Sequence, residues 1–284
     1  MQDQLANTLS ETREAGLYKD ERWILSEQGV EIEVEYPRGA KPRKVLNFCA
    51  NNYLGYSSHP EVVAAAHKGL DDRGFGMSSV RFICGTQDVH TELEEKMAEF
   101  LGMESAILLA SCFDANAAIF EVLFGPEDAL VCDRLIHASL IDGIRLCKAQ
   151  KAIYANADMN DLREKLAELR PKARNLAIVT DSVFSMDGIM APLDKIADLA
   201  DEFDAMIITD ECHSSGFLGK TGRGVHEHYG VMDRVDVITT TLGKGLGGAA
   251  GGIIAGPREV IEMLRNRGRP YLFSNAVPPS IVCG

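Results

Sequence analysis

The stretch Val235–Gly256, VDVITTTLGKGLGGAAGGIIAG, decides the fold. It reads as a β-branched strand over Val235–Thr241, then one lysine among glycines, then a second short apolar strand ending at Gly256. Apart from Asp236 near its start, Lys244 is the only charged residue in it. Burial between strands disfavours a protonated amine and lowers its pKa. That makes Lys244 a candidate nucleophile for Schiff-base chemistry. Gly243, Gly245, Gly247 and Gly248 leave room for a flat ring or a phosphate against the backbone. Two plainer readings compete. Gly243, Gly245 and Gly248 satisfy G-x-G-x-x-G, but a dinucleotide fingerprint must open a helix, and AAGGIIAG runs on as a strand. A structural turn with a solvated lysine also fits the stretch taken alone.

Upstream, apolar strands are expected at Ser105–Ala110, Ala129–Cys132, Ala152–Tyr154, Leu176–Thr180 and Ala205–Thr209. Helical patterns over 112–124, 138–149, 159–169 and 192–203 separate most of them. This alternation implies right-handed crossovers, hence an α/β fold with a mainly parallel sheet and helices on both faces. Ligands in such sheets bind beyond the carboxyl ends of the strands. Before this rhythm come a short amphipathic helix, edge strands at Glu31–Tyr36 and Val45–Ala50, and helices at Glu61–Asp72 and Gln87–Leu101. The glycine- and serine-rich loop Gly74–Thr86 separates those last two helices. The expected domains are 1–45, a helix with edge strands, and 46–284, the large domain.

A formal charge of −13 argues against nucleic acid or an anionic membrane as partner. No apolar run approaches the roughly 20 residues of a membrane span, and the polar N-terminus has no signal-peptide core. Seven cysteines without C-x-x-C read as reduced thiols in a cytoplasmic protein. The final FSNAVPPSIVCG has no closing element, as in an interrupted chain.

The residues just after the strands carry the chemistry. Ser111–Asn116, SCFDAN, opens a helix whose N–H groups suit an anion, although Ser111 as an ordinary cap explains it equally. His137 stands at another helix start, and DSVFSMDG supplies Asp181, Ser185 and Asp187. DECHSSG places Asp210 at a strand end with His213 three residues on. A helicase acidic box would need an upstream P-loop, which the sequence lacks. A metal site from Asp210, Cys212 and His213 lacks a second ligand cluster. An anion-binding helix start, an aspartate after a strand, a hydroxyl and an isolated lysine together suit pyridoxal phosphate, whose ring nitrogen takes an acidic partner.

The stretches NFCANNYLG, SCFDAN, HASLIDG, VFSMDG, DECHSSG, TTTLGKGLGG and FSNAVPP, in this order from about residue 40 to the end, resemble the α-oxoamine synthases. These are fold-type I pyridoxal phosphate enzymes that condense an amino acid with an acyl-coenzyme A. CANNYLG, SCFDAN and DECHSSG look most like the members that join glycine to acetyl-coenzyme A, releasing 2-amino-3-oxobutyrate and coenzyme A. The resemblance implies that Lys244 forms the Schiff base with the cofactor and moves the substrate proton. Asp210 would pair with the ring nitrogen, His213 and Ser185 would lie near the phenolic oxygen, and His137 would stack on the ring. Cys112 and Phe113 would bind the phosphate through their backbones and Thr241 through its hydroxyl. Ser274 and Asn275 would reach a phosphate across a homodimer interface. Asn51, with His137 and Ser185, would meet the substrate. Asp181 stands where the family has an acidic residue. The family's carboxylate-gripping arginine belongs to a C-terminal domain, expected to lie beyond Gly284. A sibling using another amino acid or acyl chain, and a silent scaffold subunit of the same fold, are the alternatives; the intact Lys244, Asp210 and His137 oppose the latter.

Overall fold

The structure, a computed structural model, describes residues 1–284. The chain divides into two compact units, 1–50 and 51–284. The first holds α1 (Gln2–Glu14) and an antiparallel sheet of β1 (Trp23–Ile24), β2 (Glu31–Glu35) and β3 (Arg43–Leu46), in that order. Alternation along β2 buries Ile32 and Val34 and exposes Glu31 and Glu33, the period-2 pattern of a half-buried strand. The break expected after residue 45 falls inside β3, whose pairing with β2 runs to Leu46.

The second unit begins with α2 (Pro60–Arg73) and α3 (Asp88–Leu101). Alternation then sets in: β4 (Ser105–Leu109), α4 (Cys112–Leu123), β5 (Ala129–Asp133), α5 (Ala138–Leu146), β6 (Gln150–Tyr154), α6 (Met159–Leu169) and β7 (Leu176–Asp181). A small hairpin of β8 (Val183–Phe184) and β9 (Ile189–Met190) precedes α7 (Leu193–Phe203), β10 (Met206–Asp210) and the one-turn α8 (Val225–His228). The chain continues with β11 (Val237–Thr241), β12 (Gly252–Gly256), α9 (Arg258–Arg267), α10 (Arg269–Leu272) and α11 (Pro279–Cys283). No helix is long and apolar enough to cross a membrane.

Seven strands form the central sheet in the order β4-β12-β11-β10-β7-β5-β6. The pairs β11/β10, β10/β7, β7/β5 and β5/β6 are parallel, and only β12 runs against its neighbours. The inner strands β5, β7, β11 and β12 are buried along their whole length, as strands covered on both faces must be. Alternate residues feed two cores. Leu108, Val131 and Ile178 meet Leu101 of α3, Leu162 and Leu166 of α6, and Leu193 and Ile196 of α7 on one face. Ile107, Leu130 and Val179 meet Ile119 and Phe120 of α4, Leu140 and Ile144 of α5, and Leu264 of α9 on the other. This is the fold-type I architecture expected from the sequence.

The two edges are handled differently. β6 exposes Gln150 and Lys151, which blunts it against pairing. The backbone of β4 is instead covered by a buried ionic cluster. Glu94 Oε1 accepts the Leu108 N–H (2.8 Å) and pairs with Arg81 Nη1 (2.9 Å), while Arg265 Nη2 bridges Glu94 Oε2 (2.7 Å) and the Ala106 carbonyl (2.9 Å).

Element ends depart slightly from the expected ones. α5 stops at Leu146 because Cys147 turns extended (ψ 146°), so β6 begins at Gln150 rather than Ala152. The β8–β9 hairpin and α9 to α11 were not expected. The hairpin strands are two residues long, too short to show any period.

Candidate active site

The carboxyl ends of β4, β5, β7, β10 and β11 meet at one cavity of about 190 Å³. Cys112, Phe113, Asn116, His137, Ser139 and Asp181 line it from β4–α4, β5–α5 and β7. Asp210, Cys212 and His213 enter after β10, and Thr241 and Lys244 at the end of β11. Eight of the expected residues thus meet in one place: Lys244, Asp210, His213, His137, Asp181, Cys112, Phe113 and Thr241.

Asp210 ends a buried strand, opposite Asp181 in the adjoining strand β7. Its Oδ1 accepts the Cys212 N–H (2.8 Å) and its Oδ2 accepts Asn116 Nδ2 (2.7 Å). It forms no ion pair within the chain. Asn116 Nδ2 also donates to Ser139 Oγ (2.9 Å), which lies 2.7 Å from His137 Nδ1. A polar chain therefore joins Asp210 to His137, whose backbone N–H is held by Asp181 Oδ1 (3.1 Å). Burial, then the charge of Asp210, pushes the Asp181 carboxyl up to about 8.

Lys244 Nζ lies 2.8 Å from His213 Nε2, and His213 Nδ1 lies 2.7 Å from the Tyr53 hydroxyl. The hydroxyl donates onward to Asn51 Oδ1 (3.1 Å). Burial, then the charge of Lys244, pushes the His213 imidazole down to about 4, so it is neutral at physiological pH. A neutral Nε2 facing an ammonium must be the acceptor, which leaves the proton on Nδ1, facing Tyr53.

The anion end of the cavity is the start of α4. Ser111 caps it by accepting the Asp114 N–H (3.1 Å), and the Cys112 and Phe113 N–H groups have no intrahelical partner. Gly252 packs under this turn: a Cβ there would stand 2.2 Å from Ser111 O and 2.4 Å from Cys112 N. Only glycine lets β12 pass this close. Thr241 Oγ1 accepts the Gly243 N–H (3.0 Å) and so ties the lysine loop to the same end.

The structure tests the cofactor expected here. A buried carboxylate without a cationic partner matches a protonated ring nitrogen, free N–H groups match a phosphate, and Lys244 lines the same cavity. The residues fit pyridoxal phosphate. Other expectations do not converge on the cavity. Ser185 sits in the exposed turn between β8 and β9, where Phe184 O accepts the Asp187 and Gly188 N–H groups and turns the chain outward. Ser274 and Asn275 line a separate shallow cleft with Arg81 and Tyr271. Asn51 is exposed and joins the site only through Tyr53.

Sequence reasoning missed Asn116, Ser139 and Tyr53. A signal for Asn116 existed, since it stands one turn after Cys112 on a helix otherwise apolar on that face.

Residues 43–283 match the family profile of aminotransferase class I and II. The chain is 57% identical over 280 residues to 2-amino-3-ketobutyrate coenzyme A ligase of Escherichia coli K12. That alignment covers 98% of this chain and 69% of the relative. The chain belongs to the aminotransferase class I and II family, in its α-oxoamine synthase branch. The mitochondrial 2-amino-3-ketobutyrate coenzyme A ligase of Homo sapiens is 54% identical over 278 residues, covering 98% of this chain and 65% of that one. Serine palmitoyltransferase from S. paucimobilis, solved with a PLP adduct bound, superposes with a TM-score of 0.90 at 29% identity. It covers 99% of this chain and 69% of its own.

Proposed function

We infer that this chain carries the catalytic site of a glycine C-acetyltransferase, a pyridoxal phosphate enzyme joining glycine to acetyl-coenzyme A. The products are 2-amino-3-oxobutyrate and coenzyme A; the reverse reaction, thiolytic cleavage, completes threonine breakdown. The observation that carries this reading is that Lys244 and Asp210 line one cavity, in a chain 57% identical to a 2-amino-3-ketobutyrate coenzyme A ligase.

Pyridoxal phosphate bound here supplies a reactive aldehyde carbon and an electron-withdrawing ring that makes glycine's α-proton removable. The chain does the rest. Lys244 would hold the cofactor, and its Nζ, 2.8 Å from His213 Nε2, would take the α-proton of glycine. His213, kept neutral, accepts from that ammonium and orients it without competing for charge. Asp210, fixed by Asn116 and the Cys212 N–H, would keep the ring nitrogen protonated. His137, held by Ser139, would pack on the ring. Cys112 and Phe113 N–H groups and the Thr241 hydroxyl would hold the phosphate. Ser274 and Asn275 serve the phosphate of a second copy in a homodimer, which accounts for their distance from the cavity of their own chain. Asn51 meets the substrate beside Tyr53, and Ser185 reaches the site only if its exposed turn folds inward. Seven free cysteines, four of them buried, suit a reducing compartment, and we place the protein in the cytoplasm.

Release of the coenzyme A thiol from acetyl-coenzyme A tests the reading. Glycine should support release in the purified protein, and alanine and serine should give none above background. Release with serine, or with a long-chain acyl thioester in preference to acetyl, would assign the protein to a sibling activity.

A further inference from the structure

A metal site built on Asp210, Cys212 and His213 fails in the structure, because His213 turns to Lys244 and Tyr53. The fold supplies a different third ligand. Cys112, a hundred residues upstream of Cys212 at the start of α4, is brought beside it. The two sulfurs and an Asp210 oxygen all lie within 4.8 Å of one another, and all three residues are buried. Tetrahedral zinc takes sulfur at about 2.3 Å, so two sulfur ligands of one ion stand about 3.8 Å apart. A separation of no more than 4.8 Å leaves at most about 1 Å of closure to reach that arrangement. Asn116, fully buried with its amide against Asp210, leaves Oδ1 without any partner. Solvent from the adjoining cavity would complete a fourth position.

The geometry points to a site for one thiophilic divalent cation, zinc or cadmium, formed by Cys112, Cys212 and Asp210 in the cofactor-free protein. As the cation binds, both thiols lose their protons to solvent and two metal–sulfur bonds form; nothing is oxidised or reduced. Two thiolates and the Asp210 carboxylate carry three negative charges, which the dication and the Lys244 ammonium balance, so the buried cluster is neutral. Soft cations favour thiolates, and calcium and magnesium do not compete for such a set. The cation occupies the carboxylate that the cofactor's ring nitrogen needs. Metal and cofactor therefore exclude each other, a consequence that rests on the functional reading above. The site is a trap for the empty enzyme.

Cadmium titration of the cofactor-free protein, followed by thiolate-to-metal absorbance in the ultraviolet, tests the site directly. A saturable band equivalent to one ion per chain is expected, and the cofactor-loaded protein lacks it. Cys112→Ser and Cys212→Ser each abolish the band, whereas Cys49→Ser with Cys84→Ser, which removes the two exposed thiols, leaves it intact. Saturating zinc slows pyridoxal phosphate uptake at least tenfold, and a chelator restores it. An equal band in the loaded protein, which requires no variant, would overturn the proposal. So would persistence of the band in the Cys112→Ser/Cys212→Ser double variant. A protein that never binds pyridoxal phosphate would sink the functional reading while the cadmium band still reports on the cluster.

Discussion

Asp181 and His213 face one cavity with opposite proton linkage. The Asp181 carboxyl is raised from 3.8 to about 8, so between those values the folded chain holds a proton that the unfolded chain has lost. Its contribution therefore makes the cofactor-free protein less stable as pH rises through that window. His213 is pushed down from 6.5 to about 4 and is neutral in the fold where the unfolded chain is charged. Its stabilisation is whole above about 6.5 and is lost as pH falls toward 4. The two slopes cancel between about 4 and 6.5, and above 6.5 Asp181 acts alone. Urea unfolding of the cofactor-free protein should give a midpoint that falls from pH 6.5 to 8, and Asp181→Asn should flatten it. The wild-type slope surviving in Asp181→Asn would refute this assignment.

At the scale of elements, the β4 edge is the least expected device. Glu94 lies on the buried face of α3 with His90, Met97 and Leu101, a carboxylate where the helical period calls for an apolar side chain. It is there to satisfy the strand's Leu108 N–H and to neutralise Arg81 and Arg265, which hold the Leu108 and Ala106 carbonyls. Removing one member of a buried ionic cluster leaves the others uncompensated, at a cost of about 3–5 kcal/mol. Glu94→Ala should lose about that much in chemical denaturation, and far more than Glu168→Ala, which removes an exposed helix-surface partner of Lys172. Equal losses from the two substitutions would show that the cluster contributes nothing particular to the edge.

At the scale of the whole molecule, the alternation of strands and helices was legible because each inner strand is a continuous apolar run bounded by turn residues. The lysine loop was legible because a charge among glycines stands out. Sheet order was not. That β12 inserts beside β4, and that β10 lies against β7, depends on pairings between residues far apart in the chain, which local patterns do not encode. For the same reason, Asp210 and Lys244 were visible as candidates, while the convergence of Cys112 with Cys212 and of Asn116 with Asp210 was not. Tyr53 illustrates the other limit: in NNYLG it looks like an ordinary loop aromatic, and only its 2.7 Å approach to His213 gives it a place in the site. The central claim is that the carboxyl ends of the parallel strands converge on one cofactor held by Lys244. Borohydride reduction of the purified protein with pyridoxal phosphate, followed by peptide mass analysis, measures this directly. The account predicts a single reduced adduct, on the peptide carrying Lys244, and its loss in Lys244→Ala. An adduct on another lysine, or none at all, would contradict it.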